Sequence, residues 1–380
     1  MSLELYLDYN GSTPVHPEVL DTFTAFVAGS YGNTAAAHHE GRRARRILDT
    51  AKAEIALAIG AKPEEIWITS GGTESNNWAL TGIARQYGRG GHLITTAVEH
   101  RSVLKSAEFL VEDGWSVSYL QVDEQGRIDP GQLDHLFQAN TCLVSVMLAN
   151  NETGTIQPVA EVAHFCRARR IPFHVDAVAA LGKMPIDVND IPCDLLSLSA
   201  HKMYAPKGTG ILYVREGLPI QPLIQGCGQQ AGWRGGTVNV EGVVALAKSF
   251  ALMKAGIYGS KEHIEDLREQ MIDGLRRLAP DLRINGNAPR LANTISVTFP
   301  GRRAMDLLQA LNGHGVSVSS GSAATNAAPS HVLTAMGFSE EQARSTLRLT
   351  LGAFSTREGI DRILEAFATV LQKVAVQDPV

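Results

Sequence analysis

The stretch Ile68-Thr-Ser-Gly-Gly-Thr-Glu-Ser-Asn-Asn77 starts as a strand and finishes as a helix. Apolar and β-branched residues over Glu65–Thr69 fit an extended segment, and Thr73–Tyr87 carries apolar residues at helical spacing. Between them, Ser70-Gly71-Gly72-Thr73 is small enough for backbone amides to approach an anion at the positive end of the helix. Taken alone, the turn serves equally as an ordinary strand-to-helix connection. It is neither a Walker loop, since no Gly-Lys-Ser/Thr follows, nor a G-x-G-x-x-G.

The same alternation continues outward. His92–Thr96, Ser116–Val122, Cys142–Met147, Phe173–Val175, Leu195–Ser199 and Gly210–Val214 read as strands. Ser102–Glu112, Pro130–Gln138 and Pro158–Arg169 read as helices, the last with proline at its start, where a missing N–H is harmless. Strands alternating with helices of this length predict crossover units and an α/β fold. Near residue 255 the texture changes. His263–Leu278 reads as a long amphipathic helix, Thr294–Phe299 and Val316–Ser319 as strands. Ser355-Thr-Arg-Glu358 reads as a capping box opening a terminal helix through about Val374. The expectation is a large domain over 15–254, with a mostly parallel sheet flanked by helices. A smaller α+β C-terminal domain would span 255–380 together with 1–14.

The 380 residues are 44% hydrophobic and 19% charged, which suits a folded chain with a sizeable core. Lys+Arg number 34 against 39 Asp+Glu, a net charge of −5, and this argues against a general nucleic-acid binder. No apolar run is long enough for a membrane span and the start does not read as a signal peptide. Four cysteines without a C-x-x-C pair indicate neither a zinc site nor a disulfide framework, and a reducing, cytoplasmic setting is expected.

Two further runs carry chemistry. Phe173-His-Val-Asp176-Ala puts an acid at the C-terminal end of a strand, where open α/β sheets bind ligands; a helix cap or a loop ion pair is the plainer role. Leu195-Leu-Ser-Leu-Ser-Ala-His-Lys202 is a buried strand ending in Ser199, His201 and Lys202. A lysine there is commonly a solvated strand end, yet a partly desolvated one can form a Schiff base. An acid on the neighbouring strand can keep a pyridinium nitrogen protonated, and a phosphate turn can hold the other end of the same molecule. Turn, acid and lysine in this order predict pyridoxal phosphate as cofactor.

These runs resemble the NifS/IscS-type cysteine desulfurases of the class V aminotransferase group. The resemblance spans Tyr6-Leu-Asp-Tyr9, Thr69–Asn77, Glu99-His100, Asn150-Asn-Glu-Thr-Gly154, His174-Val-Asp176-Ala, Ser199-Ala-His-Lys202, Arg234-Gly-Gly-Thr237, Ser319-Ser-Gly-Ser322 and Arg348. It implies the type I fold of PLP-dependent transferases, with Lys202 as the Schiff-base lysine and Asp176 on the pyridine nitrogen. His100 would stack on the ring and relay protons, while Gly72, Thr73, Ser199 and His201 would hold the phosphate. Thr237 would reach the phosphate of a neighbouring subunit, implying a homodimer. Arg348 would clamp a substrate carboxylate, and Asn33 and Asn151 would orient substrate and cofactor.

The sequence also departs from that family. Ser319-Ser-Gly-Ser-Ala-Ala324-Thr325 has alanine where the family carries the cysteine that accepts sulfur, in a loop about two residues shorter than the long-loop pattern. Ala179 replaces a glutamine, Asn33-Thr-Ala-Ala36 replaces Asn-Pro-Ser-Ser, and Asn10-Gly-Ser-Thr13 replaces Ala-Ala-Thr-Thr. Several coordinated changes fit divergence better than one inactivating replacement. Cys227, in Gly226-Cys-Gly-Gln229, takes a position where the family has glycine. It is a candidate relocated sulfur acceptor, with Arg234 expected nearby to favour the thiolate; a small residue filling a glycine site is the alternative. Cys142, Cys166 and Cys193 read as structural. The implied activity is a cysteine desulfurase-like reaction at the C–S bond of L-cysteine or a related small amino acid, passing sulfur to Cys227, an acceptor protein or an external thiol. The alternatives are a β-eliminating C–S lyase, which needs no loop cysteine, and a catalytically silent scaffold, against which Lys202, Asp176, His100 and Arg348 count.

Overall fold

The computed structural model describes residues 3–286, 289–321 and 329–374. Seven strands form the main sheet: β1 (Ile66–Thr69), β2 (His92–Thr96), β3 (Ser116–Leu120), β4 (Thr141–Met147), β5 (Phe173–Asp176), β6 (Leu195–Ser199) and β7 (Gly210–Val214). Their order is β1-β7-β6-β5-β4-β2-β3. The pairs from β3 through β6 are parallel, whereas β7 runs antiparallel to both β6 and β1. The residues of β2, β5, β6 and β7 are buried throughout, as expected when helices cover both faces of a sheet.

The helices of this part are α1 (Pro17–Gly29), α2 (His39–Ala58), α3 (Gly72–Tyr87), α4 (Arg101–Glu112), α5 (Gln132–Leu136), α6 (Val159–Arg169) and α7 (Val240–Lys254). Three of these, α1, α2 and α7, are not in the sequence reading above. Val159, not Pro158, opens α6; Pro158 stands one place outside as the N-cap.

A second sheet, in the order β10-β9-β8, joins β8 (Arg283–Asn285), β9 (Thr294–Thr298) and β10 (Thr346–Thr350), all antiparallel. It packs with α8 (Lys261–Leu278), α9 (Ala304–Gly313) and α12 (Arg357–Lys373) around a core of its own that includes Leu7, Leu267, Phe299, Leu347 and Phe367. The short helices α10 (His331–Ala335) and α11 (Glu340–Arg344) precede β10. Two expectations need correction here. Val316–Ser319 is not a strand of the sheet: it makes single bridges, Ser317 to Tyr6 and Ser319 to Arg348. The cap of α12 is Thr356, whose hydroxyl accepts from the Gly359 amide at 3.0 Å. Ser355 instead closes the preceding turn by accepting from the Gly352 amide.

The two ends of the chain meet between the sheets. Asp8 bridges to Thr350, and Asn10 Nδ2 donates to Thr294 Oγ1 at 3.0 Å. Among the described residues no helix is long and apolar enough to cross a membrane.

Candidate active site

The strand order reverses beside β2, because the chain steps outward from β2 to β3 and then returns to β4 on the other side. In open α/β sheets such a reversal leaves a crevice at the carboxyl ends of the strands. Since β1 is antiparallel to β7 and β7 to β6, β1 runs with β6. The carboxyl ends of β1, β2, β4, β5 and β6 therefore share one edge. Off that edge come Gly72 and Thr73, His100, Asn151, Asp176, and Ser199 to Lys202.

The turn after β1 is tightly seated. A Cβ on Gly72 would come within 2.7 Å of Val178 Cγ2, and one on Gly210 within 2.5 Å of the Gly71 backbone. Ser199 borders the turn: its Oγ is 3.6 Å from where a Gly71 Cβ would sit. The first amides of α3 have no partner within the helix and can face an anion. Glu74 holds the turn from outside. It accepts from the Ser70 amide at 2.8 Å and takes a two-pronged ion pair from Arg234 at 2.8 and 3.0 Å.

Asp176 is fixed at both oxygens. Oδ1 accepts from the Val178 amide at 2.9 Å and Oδ2 from Asn76 Nδ2 at 2.7 Å. Asn76 also donates to Ser102 Oγ at 2.8 Å, and Ser102 Oγ lies 2.8 Å from His100 Nδ1. The Ser102 amide donates to that same nitrogen. Nδ1 is thus an acceptor, which leaves the proton of neutral His100 on Nε2. Burial lowers the His100 pKa, and the negative charge of Asp176 opposes that shift. Beneath Asp176, His174 lies between Ser145 Oγ (2.8 Å) and Ser197 Oγ (2.9 Å), and burial pulls its pKa to about 4. Glu99 is wholly buried. Its Oε1 accepts from the Met147 amide and from Thr96 Oγ1, while Oε2 has no hydrogen-bond partner among the described residues. Burial, reinforced by Asp176, pushes the Glu99 pKa up to about 8.

Lys202 Nζ donates to the backbone carbonyls of Asn10 and Gly11, the latter at 2.8 Å. Burial, aided by Arg348, brings its pKa down to about 8; Asp8 and Asp176 act the other way. His201 has its ring 3.2 Å from Ser12 Oγ and a pKa drawn by burial to about 4. Arg348 pairs with Asp8 at 2.7 Å and donates to the Asn151 carbonyl at 3.1 Å. Its buried Nε has no partner among the described residues.

Not all the expected residues converge. Asn33 is exposed, and its Oδ1 accepts from the Ala35 amide in its own loop. Thr237 is exposed too. Cys227 is exposed and free, but the expectation that Arg234 would favour its thiolate needs correcting, because that guanidinium is committed to Glu74. Ala324 lies outside the described residues, as does most of its loop. Sequence reasoning did not single out Asn76, Ser102, Glu99, Glu74 or Asp8. All five lie in or beside the motifs quoted above, but their hydrogen bonds join segments far apart in the chain.

Pyridoxal phosphate fits this donor set. The Gly72–Thr73 turn suits a phosphate, Asp176 offers an oriented carboxylate to a ring nitrogen, and Lys202 supplies an amine of reduced basicity. The aminotransferase class-V family model matches residues 5–363. A curated relative, cysteine desulfurase IscS of Methanosarcina thermophila, is 41% identical over 379 residues, covering 99% of this chain and 94% of that protein. Among solved structures, a NifS-like protein is 36% identical with a TM-score of 0.92, covering 98% of this chain and 100% of its own. SspA in complex with cysteine is 36% identical with a TM-score of 0.82, covering 92% and 99% respectively.

Proposed function

The chain belongs to the class-V aminotransferase family, and from that premise we propose that it is a pyridoxal-phosphate-dependent cysteine desulfurase-like enzyme. Its substrate is L-cysteine or a related small amino acid, and its chemistry is at the C–S bond. The observation carrying this reading is the shared strand edge, where the Gly72–Thr73 turn, Asp176 and Lys202 face one crevice. The bound cofactor supplies an electron sink for charge developing at the substrate Cα.

Each residue then has a task. Gly72, Thr73, Ser199 and His201 hold the phosphate. Asp176, oriented by Asn76, keeps the ring nitrogen protonated. Lys202 anchors the aldehyde and moves the Cα proton, and its lowered basicity leaves a useful fraction of free amine near neutral pH. His100 would pack on the ring, with its Nε2–H available as a donor. Arg348 takes the substrate carboxylate, and its Nε, without a partner among the described residues, supports that role. Asn151 and Asn33 line the substrate side. A homodimer in which exposed Thr237 completes the neighbour's phosphate site, and a cytoplasmic location, belong to the same proposal.

Cys227 is the proposed sulfur acceptor within the chain. Its thiolate would attack the substrate sulfur, forming the S–S bond as the C–S bond breaks, and the carbon would take up protons to leave alanine. An external thiol or an acceptor protein would then take the sulfur. A β-eliminating lyase is the second reading, favoured by Ala324 and by the commitment of Arg234 to Glu74. It would release pyruvate and ammonia. Incubation of the holoenzyme with L-cysteine and identification of the carbon product tests both: alanine supports the desulfurase, pyruvate the lyase, and neither overturns both.

A further inference from the structure

Beside Lys202 a recess of about 80 Å³ opens between segments that belong to the two sheets. Its walls come from the N-terminal segment, the connection after β5, the start of α8 and the segment following β10. By volume it holds more than a single water molecule. Three lysines line it, Lys183, Lys202 and Lys261, and among the described residues no carboxylate does.

Lys183 is the unusual member. Its Nζ donates to the Ala179 carbonyl at 2.9 Å, and no ion pair to it occurs among the described residues. Lys261 sits at the rim, loosely paired with Glu265 at 3.8 Å. Ser260, the N-cap of the 18-residue α8, also lines the recess, so the positive end of that helix adds to the field. Lys183 is half-buried, and a largely enclosed cation ordinarily has a carboxylate beside it.

We infer that this recess is a binding site for a small inorganic anion, held by Lys183 between the two sheets. The ligand supplies the counter-charge that the surrounding side chains omit. It also joins the segment after β5 to the start of α8, so binding stabilises the packing of the smaller sheet on the larger. Binding is linked to protonation. Burial brings the Lys183 pKa to about 7, helped by the like charges of Lys202 and Arg348. His201 and Lys261 are its other basic neighbours, and the acids of α8, Glu262 and Glu265, do not line the recess. An anion favours charged Lys183, so affinity rises as pH falls through 7.

Sodium bromide is the probe, with sodium sulfate as a second arm, because a halide and a tetrahedral oxyanion share this chemistry. Crystals of the holoenzyme soaked in bromide are expected to show an anomalous peak within hydrogen-bond distance of Lys183 Nζ. In solution, bromide at ionic strength held constant with gluconate should raise the holoenzyme Tm by several degrees, more below pH 7 than above it. Lys183→Met should lose the peak and the Tm rise, and Lys183→Arg should keep both. A sulfate effect without a bromide effect assigns the site to oxyanions. Bromide peaks elsewhere but none in the recess, together with no sulfate effect, overturn the inference, as does a peak or Tm rise retained in Lys183→Met. If Lys183→Met fails to fold, the wild-type map decides. These readouts are of binding, so they stand apart from the identity of the reaction.

Discussion

Asn76 Nδ2 lies 2.7 Å from Asp176 Oδ2, and through Ser102 the same amide connects to the ring of His100. One side chain on α3 thus orients both the acid at the end of β5 and the histidine at the end of β2. Asn76→Ala removes a hydrogen bond to a carboxylate, worth roughly 1.5–3 kcal/mol. The expected result is a fall in kcat/KM of about 10- to 100-fold, with the visible cofactor band kept but its pH response altered. Steady-state kinetics and absorbance titration check this.

Lys202 offers a test that needs no substrate. With its pKa near 8, apoprotein should capture pyridoxal phosphate faster as pH rises through that value and then level off. An unperturbed lysine would still be gaining near pH 10. The measurement is the initial rate of growth of the cofactor band. Lys202→Ala should show no such band.

His174 links the site to acid stability. Its folded pKa, about 4, lies below the ordinary histidine value of 6.5, so the folded state resists protonation. The contribution is complete above pH 6.5 and is lost as pH falls toward 4. Urea denaturation across that window should show stability dropping, and His174→Gln should flatten part of the drop.

Glu99 behaves in the opposite sense. Its folded pKa, near 8, is above the ordinary carboxyl value of 4.5, so its destabilising effect grows as pH rises between those values. Glu99→Gln keeps an acceptor for the Met147 amide and removes the ionisable proton. Stability relative to wild type should rise with pH, by about 2–4 kcal/mol at pH 8 after allowance for relaxation, and the gain should fade toward pH 4.5. Denaturation curves at several pH values check this.

Arg234→Met leaves Glu74 half-buried without its partner, beside the Gly72–Thr73 turn. The expected loss is about 2–3 kcal/mol of stability, with weaker cofactor retention on dialysis. If the turn holds the phosphate, adding inorganic phosphate should compete for it and hasten the loss.

Much of this was legible in the sequence because local patterns dominate a mostly parallel sheet. The runs at β2, β6 and β7 are short buried stretches centred on apolar residues, and their bounds match the reading. Asp176 and Lys202 could be placed because each directly follows such a run. The rest was less visible for physical reasons. Helix α2 carries a long charged face, so its apolar stripe is diluted. Strands β8 and β10 gain their pairing from β9, which no local pattern reveals. Asn76 gains its role only through Asp176, 100 residues on, and Glu74 through Arg234, 160 residues on.

The pairing of Asp8 with Arg348 spans 340 residues and sits against the proposed substrate pocket. A ribosome must therefore release nearly the whole polypeptide before that pocket can exist. Nascent or C-terminally truncated chains would carry Lys202 but not the wall that encloses it. Substrate capture is thereby tied to completed synthesis.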